Sequence, residues 1–144
     1  MNKIQKIYIS GTLTYAAEKQ KKIYLKISEL CKPFCETVYV PHLNGTDPVK
    51  NPDVTPAEVW QKDYQEVISS DLVIAFVGEP SLGTGGELEI ARMAGRDIIL
   101  WRFKGQKVSR LPLGNPAVVE KIEAADETDL FEKLKNILQK RYGG

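Results

Sequence analysis

The hydrophobic positions of this chain follow two patterns that alternate from one end to the other. Short apolar runs predict buried strands, and the clearest of them is 72–77, which is rich in β-branched residues. Longer stretches with apolar residues three and four positions apart predict amphipathic helices. The predicted strands cover residues 4–10, 37–40, 72–77, 97–101 and 117–122, and the predicted helices cover about 16–30, 56–69, 87–94 and the chain after 126.

This alternation of strands and helices predicts the α/β class. We expect one domain over residues 1–144, built on a flavodoxin-like or Rossmann-like parallel five-stranded sheet with helices on both faces. The strand order 2-1-3-4-5 is the first choice for this sheet. Ligands of such sheets bind beyond the carboxyl ends of the strands, so the segments that follow the strands are the first candidates for chemistry.

The segment after the third predicted strand is rich in glycine and leads into a helix. It lacks the Gly-Lys-Ser/Thr of a P-loop. Gly83, Gly85 and Gly86 do not form the dinucleotide pattern GxGxxG either, because Leu88 holds its last position. Consecutive glycines let a backbone approach a ligand closely, and the amides of the following helix favour an anion.

One carboxylate, Glu87, lies at this place. Helical spacing puts Glu87 on one face with Ala91 and Ala94, small residues that suit close packing on a sheet. Glu89 falls on a different, charged face, where Arg92 is its expected partner. Glu87 is therefore a candidate catalytic acid at the mouth of the loop, and the alternative is a first-turn acid that the helix dipole stabilises.

A second acid belongs to the helix that precedes this strand. Thr55, Pro56 and Glu58 form a helix start with a capping box. Asp63 lies on the apolar stripe of this helix, and an acid on such a face must be paired, hydrogen-bonded or functional. We favour function, the alternative being a structural acid bonded to a nearby loop. The apolar stripe consists of Val59, Trp60, Tyr64, Val67 and Ile68.

Two other segments are expected at the same edge. Gly11, Thr12 and Thr14 follow the first strand and are expected at the ligand mouth, or else form a plain turn with a Thr helix cap. His42 opens a long loop, 41–54, rich in Pro, Gly, Asn and Asp. Loops of this length are usually functional lids or disordered. His42 either lines the ligand mouth or is an ordinary surface histidine.

Composition narrows the classes of function. The net charge of +1 favours neither a nucleic acid polymer nor an anionic membrane as partner, and no apolar run is long enough to span a membrane. The amino terminus lacks a signal-peptide core, so we expect a cytoplasmic protein. The sequence has only two cysteines, Cys31 and Cys35, and one histidine. Because a metal site usually needs more such ligands, we expect structural thiols. No metal or cofactor is expected.

Two carboxylates across a pocket, with backbone amides for an anion and no metal ligands, suggest glycosyl chemistry. The sequence also resembles a known family. The segments Ile7–Thr12, Asp63, Ser70–Asp71 and Pro80–Leu88 resemble the nucleoside 2-deoxyribosyltransferase superfamily. The Pro-Ser-Leu-Gly form is most similar to its 2'-deoxynucleoside 5'-phosphate N-hydrolase branch.

The resemblance implies a role for each matching residue. Glu87 matches the nucleophile, Asp63 the acid that contacts the sugar or assists departure of the base, and Tyr8 the tyrosine that orients the nucleophile. Ser81 matches a serine that binds the 5'-phosphate. Ser109 matches a phosphate-site serine from a neighbouring subunit, which implies at least a homodimer. The expected substrate-binding residues are Gly11, Thr12, His42, Ser81, Gly83, Gly85 and Ser109.

Two positions differ from the family pattern. Thr14 replaces an arginine of the hydrolase branch, and Gly86 replaces a larger residue, which leaves more room near the sugar. We therefore expect an N-glycosidase that acts on a (deoxy)nucleoside 5'-monophosphate through a covalent glycosyl-Glu87 intermediate. The alternatives are a 2-deoxyribosyltransferase, a catalytically silent nucleotide-binding domain and a flavodoxin-like partner-binding module.

Overall fold

The structure, a computed structural model, describes residues 4–13 and 17–143. Within these ranges, five parallel strands form one sheet in the order β2-β1-β3-β4-β5. The strands are β1 (Ile4–Ser10), β2 (Cys35–Tyr39), β3 (Leu72–Phe76), β4 (Asp97–Phe103) and β5 (Val118–Ala124). The helices are α1 (Glu18–Cys31), α2 (Pro56–Ile68), α3 (Leu82–Met93), α4 (Arg110–Leu113) and α5 (Glu127–Tyr142). The predicted fold class and strand order are confirmed.

Several predicted boundaries were wrong by a few residues. β2 begins earlier than expected because the Pro33 break is taken up by one 3-10 turn, Lys32–Phe34, that leads directly into the strand. β4 extends two residues beyond Trp101, and β5 is shifted toward the carboxyl terminus to pair with that extension. The loop after β4 contains α4, a helix too short to give a periodic pattern.

The two faces of the sheet carry separate apolar cores. α1 and α5 cover one face and pack on residues such as Ile7, Ile9 and Trp101. α2 and α3 cover the other face, where Val67 and Leu88 pack on it. Because side chains alternate along a strand, neighbouring residues of β1 face opposite cores. This alternation decides which side chains of β1 reach α3.

The long loop after β2 is tied to α1 by a buried ion pair. Lys21 Nζ lies 3.0 Å from Asp47 Oδ2, and the Asp47 side chain is fully buried. Asp47 Oδ1 also accepts a hydrogen bond from the amide of Val49 at 2.8 Å. The long loop, for which the sequence predicts no regular structure, is therefore held beside α1.

The remaining expectations concern the thiols and the membrane. Cys31 and Cys35 are both buried, and the Cys35 thiol donates to the carbonyl of Cys31 at 3.5 Å, as expected of structural thiols. Among the described residues, no helix has the length and apolar character needed to cross a membrane.

Candidate active site

The candidate site is centred on Glu87, which receives hydrogen bonds from two hydroxyl groups of β1. Tyr8 and Ser10 are two positions apart and so share the sheet face that α3 covers. The Tyr8 hydroxyl donates to Glu87 Oε2, and the Ser10 hydroxyl donates to Glu87 Oε1 at 2.8 Å. Both carboxylate oxygens are thus held by donors from the neighbouring strand, so the orientation of the carboxylate is set before any ligand arrives.

The position of Glu87 on α3 excludes the helix-dipole alternative. The helix begins at Leu82, and its first turn, all of it described, contains no acid. Glu87 belongs to the second turn and shares its inward face with the buried Ala91, as the spacing predicted. Glu89, on the other face, forms the expected exposed pair with Arg92. Glu87 therefore faces the sheet for a reason other than favourable charge at a helix start.

Asp63 of α2 is the second carboxylate of the site. Its side chain is a hydrogen-bond partner of Glu87, and this interaction raises the pKa of Glu87 and lowers that of Asp63. Burial raises the pKa of Asp63 to about 6, opposed by the positive charge of Lys62 and assisted by Glu66. Asp63 Oδ1 is buried and has no hydrogen-bond partner among the described residues. This unpartnered oxygen is available to a ligand.

The protonation of Glu87 is balanced near neutrality. Burial raises the pKa of Glu87 to about 7, and the neighbouring Asp63 charge acts in the same direction. The hydrogen bonds from Tyr8 and Ser10 favour the ionised form and lower the pKa. A carboxylate held near its point of half ionisation is typical of a catalytic group rather than of a structural one.

Tyr8 is held as a permanent donor. Burial, and then the negative charge of Glu87, raise the pKa of the Tyr8 hydroxyl well above its usual value, so the group stays protonated. Its ring stacks on that of Tyr39, the residue opposite it in β2, with 5.4 Å between the ring centroids. The stacking fixes the direction of the hydroxyl toward Glu87.

The glycine-rich segment leaves the start of α3 open. Ser81 caps the helix by accepting a hydrogen bond from the Thr84 amide at 3.2 Å. A Cβ added at Gly85 or Gly86 meets no atom within 4 Å, and one at Gly83 meets only the Ser81 hydroxyl oxygen at 4.0 Å. These glycines are therefore not required by packing or by a positive φ. Their effect is to keep free space around the first amides of the helix, which α-helical bonding leaves unused.

The end of β1 is packed more tightly than expected of an open ligand mouth. Tyr24 of α1 lies where a Cβ of Gly11 would be, so only glycine fits there. The Tyr24 hydroxyl donates to the carbonyl of the buried Thr12 at 3.1 Å. The Thr14 expectation falls outside the described residues. Gly11 and Thr12 therefore pack against Tyr24 of α1 directly after Ser10. Their contact with a ligand stays a prediction.

His42 is buried, so the interpretation as an ordinary surface histidine was wrong. Its ring centroid lies 6.3 Å from that of Tyr24, and 4 % of the residue is exposed. Burial, followed by the positive charge of Lys21, lowers the pKa of His42, which keeps the ring neutral. Nδ1 is buried without a hydrogen-bond partner among the described residues. The expected role in ligand binding stays a prediction.

Ser109 is not joined to the Glu87 cluster by any hydrogen bond between described residues. It is exposed and precedes α4. The loop that carries it does reach the same edge of the sheet, because the Gln106 side chain fills the space beside Gly78 at the end of β3. Its place in a site of the neighbouring subunit stays a prediction.

Comparison with known proteins now identifies the family. The model of the family "Nucleoside 2-deoxyribosyltransferase" matches residues 7–138, which span β1 to α5. The chain belongs to the nucleoside 2-deoxyribosyltransferase family. The predicted membership of this superfamily and the prediction of an enzyme are confirmed. A comparison with curated proteins gave no match.

Solved structures of low sequence identity share the fold. A CMP N-glycosidase, BcmB, of Clostridium botulinum is 23% identical, with a TM-score of 0.68 over 92% of this chain and 99% of that one. A conserved protein from Enterococcus faecalis V583 is 18% identical, with a TM-score of 0.70 over 93% and 99%. A 2-deoxyribosyltransferase from Bacillus psychrosaccharolyticus is 20% identical, with a TM-score of 0.67 over 88% and 90%.

Sequence reasoning missed one member of the Glu87 cluster. Ser10 was placed in the first strand but given no role, although it lies two positions after Tyr8 and so on the same face. Applying strand alternation to Tyr8 would have found it. By contrast, the burial of His42 under Tyr24 has no signal in local sequence, since it depends on how the long loop folds back on α1.

Proposed function

We propose that this protein is an N-glycosidase that cleaves the bond between base and sugar in a nucleoside 5'-monophosphate. The observation that supports this most directly is the Glu87 carboxylate, held by the hydroxyls of Tyr8 and Ser10 beside a second carboxylate, Asp63. An oriented carboxylate next to an acid of raised pKa is the equipment that retaining glycosidases need. Family membership restricts the sugar donor to a nucleoside or nucleotide.

In the first step, ionised Glu87 attacks the anomeric carbon of the sugar. The bond between a Glu87 oxygen and C1' forms as the bond between C1' and the base nitrogen breaks, and the bonding electron pair leaves with the base. The departing base takes its proton from water rather than from Asp63, because the pKa of Asp63, about 6, lies below that of Glu87, about 7, so Asp63 is already ionised where Glu87 is ionised. The hydrogen bonds from Tyr8 and Ser10 hold the Glu87 carboxylate in line for attack on the anomeric carbon.

In the second step, water breaks the glycosyl-Glu87 ester. Ionised Asp63 takes one proton from the attacking water as the water oxygen bonds to C1', and Glu87 leaves as a carboxylate. The products are the free base and a sugar 5-phosphate, and Asp63 returns to its starting state when it releases its proton to the solvent. If a second base attacks in place of water, the same intermediate yields a new nucleotide. That is the transferase alternative within the same chemistry.

The phosphate is proposed to bind at the start of α3. The unused amides of the first turn and the Ser81 hydroxyl, which still has its proton to donate, favour an anion. The open glycine positions Gly83 and Gly85 give a phosphate room to approach the backbone. His42, Gly11 and Thr12 are proposed to line the sugar and base side, and Ser109 of a second subunit to complete the phosphate site in a homodimer.

The substrate class follows from this arrangement and from one neighbour. BcmB of Clostridium botulinum is a CMP N-glycosidase, which is a precedent for a ribonucleotide substrate on this fold. In the present chain, Gly86 has open space around it, as a ribose with its 2'-hydroxyl requires. We therefore propose that ribonucleoside and deoxyribonucleoside monophosphates are both candidate substrates, with the silent nucleotide-binding domain as the alternative.

Base release from nucleotides tests the proposal. The four ribonucleoside and four deoxyribonucleoside 5'-monophosphates, and the matching nucleosides, are incubated with the protein, with and without a second base, and separated by chromatography. We expect a free base from at least one monophosphate and much less from its nucleoside. Glu87→Ala should abolish release, whereas Glu89→Ala, a matched change on the exposed face of the same helix, should not. Release that persists in Glu87→Ala overturns the mechanism.

A further inference from the structure

Trp60 is exposed although it belongs to the inward face of α2. At about 100° per residue, Trp60 lies within about 20° of Val67 and about 60° of Asp63 around the helix axis. Val67 is fully buried, yet 58% of Trp60 is exposed. The apolar stripe that the sequence predicts for α2 is therefore not buried at Trp60.

Height along the helix axis explains the exposure. α2 connects the end of β2 to the beginning of β3, and these strands are parallel to β1, so α2 starts at the carboxyl edge of the sheet. Trp60 lies roughly 10 Å nearer that edge than Val67. At this height the indole is exposed, at the carboxyl edge of the sheet, which is also the edge where β1 ends with Ser10, a hydrogen-bond partner of Glu87.

The neighbours of Trp60 connect it to the chemistry. Asp63, one turn farther along α2, lies beside Glu87. Tyr64 stacks on the indole of Trp60 with 4.9 Å between the ring centroids and 12° between the planes. This stack covers one face of the indole and fixes its plane, while 58% of the residue stays exposed.

We infer that Trp60 is a stacking platform for the base of the substrate, an assignment that rests on the proposed function. A base departing from C1' beside Asp63 is a flat ring, and the exposed part of a pre-oriented indole is a flat apolar surface next to it. Stacking is tolerant of base identity because every base has a π-face. Trp60 therefore contributes affinity for the base, while hydrogen-bonding groups elsewhere decide which base is preferred.

Steady-state kinetics with the best monophosphate substrate tests this inference. Loss of one base-stacking side chain weakens binding by roughly fivefold to a hundredfold, so Trp60→Ala should raise KM by that factor and leave kcat within about threefold. Trp60→Phe keeps a flat ring and should stay within about threefold of the parent in KM. Met93→Ala removes another exposed apolar side chain, on α3, and should leave both constants unchanged. Unchanged KM in Trp60→Ala overturns the inference.

Fluorescence separates failure of the inference from failure of the proposed function. The chain has two tryptophans, and Trp101 is buried in the other core, so a ligand at the site affects mainly Trp60 emission. Nucleoside monophosphates should quench the emission of Glu87→Gln protein, and ribose 5-phosphate, which lacks a ring system, should not. Quenching without base release from any nucleotide keeps the platform and rejects the glycosidase. Equal quenching by ribose 5-phosphate rejects the platform.

A second copy of the chain is the competing occupant of the indole. Sedimentation velocity of the parent protein and of Trp60→Ala, at matched concentrations, decides between them. If the variant dissociates where the parent does not, Trp60 belongs to a subunit interface and the inference is overturned. An unchanged oligomeric state together with a raised KM supports the platform.

Discussion

At the scale of single residues, the properties of Glu87 follow from what surrounds its two oxygens. Burial and the Asp63 charge disfavour the ionised form, while the Tyr8 and Ser10 hydroxyls favour it. The result is a carboxyl group whose pKa is about 7 and whose charge state small changes can shift. Because the proposed nucleophile is the ionised form, base release should rise as the pH increases through this pKa.

Removing the Ser10 hydroxyl or the Asp63 charge should shift the acidic limb of the pH-activity profile in opposite directions, because the two groups have opposite effects on the pKa of Glu87. Ser10→Ala removes a donor to the carboxylate, so the pKa of Glu87 rises and the limb of kcat/KM moves to higher pH by roughly one unit. Asp63→Asn removes a neighbouring negative charge, so the limb moves to lower pH while the maximal rate falls. The profiles are measured by base release between pH 5 and pH 9.

Ser69→Ala provides the matched control for the serine change, since the Ser69 hydroxyl bonds to Lys6 and to the Glu66 carbonyl rather than to Glu87. Its profile should coincide with that of the parent protein. Shifts of Ser10→Ala and Asp63→Asn in the same direction would refute the assignment of the limb to Glu87.

Sequence alone predicted part of this residue-scale picture. Glu87 followed from the glycine-rich segment and the inward helix face, and Asp63 from its position on an apolar stripe. The role of Tyr8 came from the family resemblance. The exposure of Trp60 had no sequence signal, because periodicity gives the direction of a side chain around the helix but not its height relative to the sheet.

At the scale of elements, the glycines at the start of α3 leave free volume there and lower the stability of the helix. Glycine in a helix interior costs about 1 kcal/mol relative to alanine, and three glycines occur in the first five residues of this helix. Gly83 is one turn before Glu87 on the same face, whereas Gly86 points about 100° away. A methyl group at Gly83 would therefore enter the space above Glu87 where the substrate is proposed to bind.

Two single changes separate stability from function at this helix. Gly83→Ala and Gly86→Ala should both raise the free energy of unfolding, by roughly 0.5–1 kcal/mol in urea titrations, because both positions accept a Cβ. With a deoxyribonucleoside monophosphate as substrate, only Gly83→Ala should lower kcat/KM strongly, by about tenfold or more. Gly86→Ala should remain within threefold, because the space beside Gly86 is proposed to hold a 2'-hydroxyl that this substrate lacks. An equal loss in the two variants would show that the Glu87 face is not where the substrate lies.

The elements themselves were largely predictable. Apolar runs and the Thr55 capping box located the strands and α2, and the capping box is present as predicted. The short α4 and the exact ends of β2, β4 and β5 were not predictable, because strand ends are set by pairing with neighbours rather than by local sequence. The Lys21–Asp47 pair that holds the long loop is likewise a tertiary contact without a local pattern.

At the scale of the whole molecule, exposed apolar side chains mark the surface near the site. Leu82 is 98% exposed and Leu111 is 87% exposed, one at the start of α3 and the other in α4, two residues after Ser109. Single exposed apolar side chains are common on protein surfaces, so these two leucines do not by themselves mark an interface. A second subunit that brings its Ser109 to the phosphate stays a prediction.

Mixing two inactive or weakened variants tests a shared site. In a homodimer with crossed sites, a mixed dimer of Glu87→Ala and Ser109→Ala has one site with both residues intact, so re-association should recover about a quarter of the parent activity. Ser109→Ala alone should raise KM for the monophosphate and not for the matching nucleoside. The activities are measured after mixing, dissociation in mild denaturant and dilution. No recovery beyond the sum of the separate variants would place Ser109 outside the neighbouring site.

The central claim is a covalent bond between Glu87 and the sugar, and mass spectrometry of the protein tests it most directly. A 2'-fluoro-2'-deoxynucleoside 5'-monophosphate is used, because the fluorine withdraws electrons from C1' and slows breakdown of the glycosyl-enzyme. The account predicts that the protein gains the mass of the fluorosugar phosphate, that peptide fragmentation places it on Glu87, and that Glu87→Ala gains nothing. An adduct on another residue, or base release in Glu87→Ala, would contradict it.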